Sequence, residues 1–173
     1  MQKDNLVDMI LSDYEAFKEY CSSNNDIEIS EADLSHAVLE DVDLINIDFS
    51  GSSFTESSLT NVKFIDCDLT SVDFSRANVC ECDFSGSILN GTSFNYANVS
   101  YCNFSDADMA GANFSEADLS DSDFSTSENL DSCRFDESTI WPDSDKLPED
   151  FDCTYDYDLS SLREEDETQN EVY

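Results

Sequence analysis

Glycine, proline, histidine and basic side chains are all scarce in this chain of 173 residues. It contains four Gly, two Pro, one His and seven Lys and Arg, against 41 Asp and Glu, for a formal net charge of −34. So few basic side chains exclude direct binding to nucleic acid phosphates or to an anionic membrane surface, because both need a basic footprint. The partners that such a field attracts are basic: a DNA-binding groove, a cationic protein or metal ions.

Signals for export and for membrane insertion are also absent. No apolar run approaches the ~18 residues of a membrane span, and the N-terminus lacks a basic region followed by an apolar one. The seven Cys are an odd number, and their spacings match no disulfide framework or zinc signature. We therefore expect a soluble protein of the reducing cytoplasm with free cysteines.

Aromatic residues, by contrast, are plentiful, and they recur with a fixed period. Twelve Phe and seven Tyr argue against the disorder that so acidic a composition otherwise suggests. A large apolar residue, the centre of each unit, returns every five residues for twenty consecutive units. These centres are Ile29, Leu34, Leu39, Leu44, Phe49, Phe54, Leu59, Phe64, Leu69, Phe74, Val79, Phe84, Leu89, Phe94, Val99, Phe104, Met109, Phe114, Leu119 and Phe124. One extra residue near Glu128 and Asn129 shifts the frame, and Leu130, Phe135 and Ile140 resume it.

Each five-residue unit has further fixed positions around its centre. A small or β-branched residue lies two positions before the centre, and Asp or Asn often lies between the two. A period of five fits neither an α-helix nor a long flat strand. It fits a short strand followed by a corner, with the centre and the small residue facing inward together. We expect the intervening Asp side chains to accept hydrogen bonds from nearby backbone amides, as in Asx turns.

These units resemble the pentapeptide-repeat family, whose motif is Ala-(Asp/Asn)-Leu-x-x. Close matches are Ala32-Asp33-Leu34, Ala107-Asp108-Met109, Ala112-Asn113-Phe114 and Ala117-Asp118-Leu119. The resemblance implies the fold of that family, an all-β solenoid built as a right-handed quadrilateral parallel β-helix with four units per coil. This chain would then form about six coils over residues 26–142. The segment Thr139-Ile140-Trp141-Pro142 also resembles the ending of cyanobacterial members.

The spacing of the centres is consistent with four units per coil. If a coil is 20 residues, one face collects Phe54, Phe74, Phe94 and Phe114, and the opposite face collects Phe64, Phe84, Phe104 and Phe124. The two faces between them are almost wholly aliphatic. Bulky rings on two facing sides and slimmer chains on the others fill a square section. The small inward positions hold Cys67, Cys82, Cys102 and Cys133, and a free Cys behaves there as a small hydrophobe.

The two ends of an open solenoid must be covered. Residues 4–21 have apolar side chains at helical spacing and predict an amphipathic helix, which either caps the first coil or binds a partner. We assign residues 1–25 to this capping helix and residues 143–173 to an acidic C-terminal cap or tail. The apolar residues of the tail, Tyr155, Tyr157, Leu159 and Leu162, either cap the last coil or pair two subunits as a homodimer.

No arrangement of residues predicts catalysis or a cofactor. The one histidine, His36, falls at an outward corner, and no nucleophile elbow, phosphate loop or calcium loop is present. Carboxylate pairs arise by abundance in such a chain and carry no weight. We expect a protein that is not an enzyme and that has neither a cofactor nor a metal site.

One stretch of the repeat carries no charged residue. From Phe84 to Ser105, a full coil, there is no charged residue. This neutral coil places Ile88, Tyr96 and Tyr101 outward, and Tyr is a favoured interface residue. Ile45 and Ile65 also point outward, one coil apart. These five residues are the candidate protein-binding site; the alternative is that they are tolerated surface residues or that the chain's own termini cover them.

The sequence is compatible with two functions. Quinolone-resistance members of the family are rods of duplex width that occupy the DNA groove of gyrase, so the resemblance implies an acidic DNA mimic that binds and modulates a DNA-binding protein. The alternative is a regulatory scaffold that binds a protein of another kind through the neutral coil with Tyr96 and Tyr101. Against mimicry, the acids surround the rod and skip one coil.

Overall fold

The N-terminal segment folds as two helices rather than the single helix predicted. The structure is a computed structural model that describes residues 3–24 and 27–154. Helix α1 spans Lys3–Ser12 and helix α2 spans Tyr14–Ser23. Asp13 separates them with an extended φ of −147°, and its Oδ1 accepts a hydrogen bond from the Ala16 amide at 3.1 Å. Such N-cap residues start helices, so the Asp in the middle of the amphipathic pattern divides it.

Both helices cover the first coil. Leu6, Ile10 and Phe17 are buried in the main core. Lys3 Nζ donates to the carbonyl of Ser30 at 2.9 Å, and Tyr14 Oη accepts from the amide of Asp43. The apolar faces of the two helices thus shield a coil end that would otherwise be exposed.

The body of the chain is a parallel β-helix with a 20-residue coil. Strands β1 (Ile27–Glu28) and β3 (Ile47–Asp48) pair in parallel. Strands β2 (Val38–Glu40), β4 (Ser58–Thr60), β5 (Asn78–Cys80) and β6 (Asn98–Ser100) form a four-stranded parallel sheet. Each residue pairs with the one 20 positions later, as Leu39 does with Leu59 and Leu59 with Val79. Isolated parallel bridges continue the same register on the other faces as far as Glu128.

The interior confirms the predicted stacking of aromatic rings. Phe64, Phe84 and Phe104 stack with centroid distances of 5.1 and 5.0 Å and interplanar angles of 6° and 3°. Phe74 and Phe94 stack likewise at 5.1 Å on the facing side. Rings of the two columns meet edge-on, as Phe84 and Phe94 do at 6.0 Å. Offset and edge-on contacts are the geometries that aromatic quadrupoles favour, so the two ring columns pack favourably within each coil and between coils.

The small inward residues also satisfy the backbone. Ser52 Oγ donates to the carbonyl of Ile29 at 3.0 Å, and Thr92 Oγ1 donates to that of Leu69 at 2.7 Å. Cys67 Sγ makes the equivalent bond to Leu44 at 3.0 Å. A buried carbonyl without a partner costs free energy, so Ser, Thr and Cys serve as small donors there.

The corners use left-handed backbone, and the predicted Asx turns are present beside them. The second residue after most centres has φ near +60°, whether it is Gly or not. Asp48, Asp68 and Asp108 each accept a hydrogen bond through Oδ1 from the amide two residues later, at 2.8, 2.9 and 3.2 Å. Asn113 does the same for Ser115 at 3.0 Å. The Asp or Asn of the motif therefore fixes the turn that leads out of each short strand.

The C-terminal coil departs from the predicted frame. Ile140, predicted as an inward centre, is 53% exposed and pairs with Asp118, which precedes a centre. Trp141 occupies the inward position instead and meets Phe124 and Phe135 edge-on at 6.0 and 5.4 Å. Phe135 and Trp141 are six residues apart, so a second extra residue lies between them. Trp141 rather than Ile140 faces inward because the indole ring buries more apolar area than the isoleucine side chain.

The chain after Pro142 still packs on the preceding coil. The amide of Phe124 donates to the carbonyl of Lys146 at 2.8 Å, Leu147 is buried, and Phe151 lies 5.0 Å from Trp141 between ring centroids. Leu147 and Phe151 therefore cover the last coil. The tail residues predicted for this role, Tyr155, Tyr157, Leu159 and Leu162, lie outside the described residues. No helix within residues 3–24 and 27–154 is long and apolar enough to cross a membrane.

Candidate protein-binding surfaces

Tyr96 and Tyr101 lie at the two corners of one face. They bracket β6, and the outward side chains of β4, β5 and β6 carry no charge. We call this surface, bounded by the two tyrosines, the tyrosine face. Tyr96 is 48% exposed and Tyr101 is 61% exposed. Both have left-handed backbone, with φ of 60° and 58°, a region that bulky residues seldom occupy.

Charged residues of adjacent coils approach both tyrosines. Arg76 lies over the Tyr96 ring, with Cζ 5.4 Å from its centroid. The carboxylate of Glu116 raises the pKa of Tyr96 because it favours the protonated phenol, and Asp121 does the same for Tyr101. Both carboxylates belong to the following coil. The neutral coil is uncharged in sequence but lies within reach of charge on its C-terminal side.

The other three predicted residues lie elsewhere. Ile88 is 42% exposed and lies on the face opposite the tyrosine face, since two five-residue units separate their outward positions. Ile45, 46% exposed, and Ile65, half-buried, share a third face. The neutral coil therefore does not form one patch: Tyr96 and Tyr101 share a face, whereas Ile88 does not join them.

Ile88 interrupts a column of carboxylates that sequence reasoning did not single out. Six residues, each bridged to the one a coil away, occupy equivalent outward positions, and we call their surface the acidic face. They are Glu28, Asp48, Asp68, Ile88, Asp108 and Glu128. Comparing the residues that directly precede every fourth centre, 20 positions apart, would have revealed this column from the sequence.

A groove runs beside the N-terminal half of the acidic face. Its volume is about 390 Å³. One side is formed by Asp66 and Gly86, which belong to a column of left-handed corner residues 20 positions apart, here called the corner column. The other side is formed by Glu28, Asp48 and Asp68, and Ile88 lies at one end. At Gly86 the corner column lacks a side chain, so Gly86 and Ile88 together form what we call the apolar notch.

Comparison with known families agrees with this architecture. The family model described as "Pentapeptide repeat region" matches residues 57–140, and that described as "Pentapeptide repeats (8 copies)" matches residues 32–70. The chain is a pentapeptide-repeat protein. No curated protein sequence matches it significantly.

Several solved structures are similar to this pentapeptide-repeat protein. A pentapeptide-repeat protein of the Arabidopsis thaliana thylakoid lumen is 25% identical, over 54% of this chain and 67% of that one, with a TM-score of 0.43. The Nostoc protein alr5209 is 20% identical, over 82% and 85% of the two chains, with a TM-score of 0.49. QnrB1, described as a plasmid-mediated fluoroquinolone resistance protein, is 19% identical over 64% and 82%, with a TM-score of 0.27.

The chemistry available to this pentapeptide-repeat protein is that of its surface. Burial raises the pKa of Cys67 and of Cys133 to about 12, so these thiols stay protonated at neutral pH. No group of three or more His, Cys, Asp or Glu within the described residues is arranged to hold a metal ion. His36 is exposed at its corner, where Nδ1 lies 3.5 Å from Glu56.

Proposed function

We propose that this protein is a non-enzymatic protein-binding module that presents an acidic rod to a DNA-binding protein. The observation that carries the proposal is the density of charge along the rod. Residues 26–141 contain 24 acidic and three basic side chains, a net charge of −21. About six coils at the ~4.8 Å strand spacing give a length of ~29 Å. That is one net charge per ~1.4 Å, against ~1.7 Å for duplex DNA.

The carboxylates of the acidic face are also held in place. Asp48, Asp68 and Asp108 are partly exposed, and each closes an Asx turn through Oδ1. Side chains that are ordered before binding lose less conformational entropy when a partner docks. A column of fixed negative charges is the arrangement that a basic DNA-binding groove recognises in a phosphate backbone.

A competition assay tests this proposal. Purified protein should displace a fluorescent DNA duplex from gyrase or another DNA-binding enzyme of its host and should inhibit gyrase supercoiling, with an effect that weakens as salt rises. The triple variant Asp48→Asn, Asp68→Asn, Asp108→Asn keeps the turns, because Asn113 closes the same turn, and should compete at least about tenfold less well. The matched triple variant Asp73→Asn, Asp83→Asn, Asp123→Asn removes equal charge from other faces and should lose less. Absence of competition by the unaltered protein contradicts the proposal.

A second candidate function is supported by the backbone of the tyrosine face. Tyr96 and Tyr101 occupy left-handed corners, where the other described corners hold Gly or a polar or charged residue, as at Gly91, Asn61 and Glu81. An exposed aromatic side chain at each of these two corners is suited to a regulatory scaffold that binds a protein other than a DNA-binding protein. Affinity capture from host lysate at two salt concentrations tests it. The double variant Tyr96→Asn, Tyr101→Asn should lose a salt-resistant partner that the triple Asp48/Asp68/Asp108 variant retains, and unchanged capture by the tyrosine variant counts against the tyrosine face.

A further inference from the structure

The groove beside the acidic face combines an apolar floor with charged walls. Ile27, Ile47 and Cys67 contribute to its base, where their side chains are buried in the core. Carboxylates of Glu28, Asp48, Asp66 and Asp68 line its two sides. A surface of this kind complements a ligand that carries positive charges along one edge and an apolar group at one point.

The apolar notch is not required by the fold. The amide of Ile88 donates to the carbonyl of Cys67 at 3.0 Å, the same backbone bond that Asp68 makes to Ile47 and Asp108 makes to Ser87. The position therefore accepts Asp in the coils immediately before and after. An isoleucine there exposes 42% of its surface, although Asp would close the turn and keep the column continuous.

Gly86 enlarges the notch. Equivalent corner positions hold Asn46, Asp66 and Asp106, whereas Gly86 has only backbone. A Cβ at this position would collide with Asp66 Oδ1, so that carboxylate leans over the glycine. The notch thus brings one carboxylate and one exposed isoleucine to the two sides of a gap in the surface.

We infer that this groove binds an extended, basic segment of a partner protein, with one apolar side chain of the segment seated in the apolar notch against Ile88. The inference rests on the proposed function and names the chemistry of the partner. Lys or Arg side chains would pair with the carboxylates of Asp48, Asp66 and Asp68, and the charge of the rod, −21 over residues 26–141, draws a basic segment in. The carboxylate of Asp66, which leans over Gly86, lies beside the apolar notch, where a basic side chain of the segment would meet it.

The spacing of the groove fits such a segment. Residues two apart in an extended chain lie on the same side, ~6.6 Å from each other. Asp68 and Asp48 lie one and two coils from Ile88, or ~4.8 and ~9.6 Å. Basic residues two and four positions before an apolar residue lie ~6.6 and ~13.2 Å from it. The first then lies near Asp68 and the second between Asp48 and Glu28, which is ~14.4 Å from Ile88, and the long side chains of Lys and Arg cover the remaining distance.

Binding of two labelled peptides to the full chain tests the inference. The probes are fluorescein-labelled KSKSLSG and KSKSASG, measured by fluorescence anisotropy. The unaltered protein should bind the leucine peptide about tenfold more tightly, which is the gain expected for burying most of the extra leucine side chain. The variant Ile88→Asp should lose this preference and bind the alanine peptide equally well or more tightly. The variant Ile88→Asn, with a residue found at the equivalent position as Asn98 and Asn113, should lose it as well without added charge.

Two controls separate the notch from the general field. Asp68→Asn keeps its turn and should weaken both peptides by the same factor, whereas Asp73→Asn on a neighbouring face should change neither by more than about twofold. Thermal unfolding of each variant establishes that it is folded. If Ile88→Asp and Ile88→Asn bind the leucine peptide as tightly as the unaltered protein, or if neither peptide binds, the inference is wrong.

Its failure differs from failure of the proposed function. If the protein competes with DNA but shows no preference for the leucine peptide, the proposed function holds and the apolar notch does not bind an apolar side chain. A protein that prefers the leucine peptide but never competes with DNA binds basic segments of proteins of another class.

Discussion

The interior of this rod repeats the same chemistry in every coil, whereas its outer surface changes from coil to coil. The inward column of Phe64, Phe84 and Phe104 is uniform, while the outward column beside it runs Lys63, Asp83 and Asn103. Inward residues must fill a section of constant area, so few side chains fit. Outward residues need only tolerate the turn. Differences along an outward column are therefore free to serve recognition, whereas differences along an inward column should reduce stability.

The largest effect is expected from the aromatic interior. Phe84→Ala should lower the free energy of unfolding by about 3–5 kcal/mol, because Phe84 is fully buried between Phe64 and Phe104 and the backbone stack cannot close the cavity. Urea unfolding followed by circular dichroism measures it. Ser85→Ala, at the next position and facing outward, should stay within about 0.5 kcal/mol. Equal losses in the two variants would remove the distinction between inside and outside.

The repeat itself made most of this fold predictable. The repeated motif resembles the pentapeptide-repeat family, whose fold implied four units per coil. The 20-residue spacing of Phe and aliphatic centres agreed with that coil, its four faces and its facing ring columns. Prediction failed where the local sequence overrides the period. Asp13 starts a new helix within an apolar pattern, and a second inserted residue lets Trp141 displace Ile140 from the interior.

The candidate site was less predictable than the fold. Counting charge along the chain found the neutral coil, but it treated Ile88, Tyr96 and Tyr101 as one surface. Corners turn the chain every five residues, so neighbours in sequence face different directions, and neighbours in space are 20 residues apart. The acidic face and the apolar notch become visible only when residues are compared at that longer interval.

Corner glycines should give an intermediate effect. Gly86→Ala should cost about 2–3 kcal/mol, since alanine both strains the left-handed backbone and collides with Asp66 Oδ1. Gly111→Ala is the matched control: its φ of +69° is the same within two degrees, but nothing lies within 4 Å of the added Cβ. It should cost only about 1 kcal/mol. The difference in urea midpoint measures the crowding in the apolar notch, and identical losses would show that Asp66 moves aside freely.

Replacing a corner tyrosine should not lower the stability as replacing a corner glycine does. Tyr101→Asn should raise the free energy of unfolding by up to about 1 kcal/mol, because Asn tolerates left-handed backbone better than Tyr. Tyr96→Asn should be nearly neutral, since it also removes the contact of Arg76 with the ring, worth about 0.5–1 kcal/mol at an exposed site. Thermal unfolding of the two variants compares them. A clear destabilisation by Tyr101→Asn would mean that this tyrosine supports the fold rather than recognition.

The smallest effect concerns one carboxylate of the acidic face and depends on pH. The side chain of Asn129 donates to Asp108 Oδ1 at 2.7 Å and holds the pKa of Asp108 below its ordinary value of 3.8. A carboxyl whose pKa is lower in the folded state stabilises the fold above its unfolded pKa and loses that contribution as pH falls through the folded value. Asp108→Asn should therefore lower the urea midpoint slightly at pH 7. The difference from the unaltered protein should shrink as pH falls below ~3.8 and vanish only below the lower pKa of folded Asp108. In an Asn129→Gly background, which keeps the left-handed backbone at that position, the substitution should have less effect at pH 7. A difference that persists undiminished at low pH would assign the effect to the turn of Asp108 rather than to its charge.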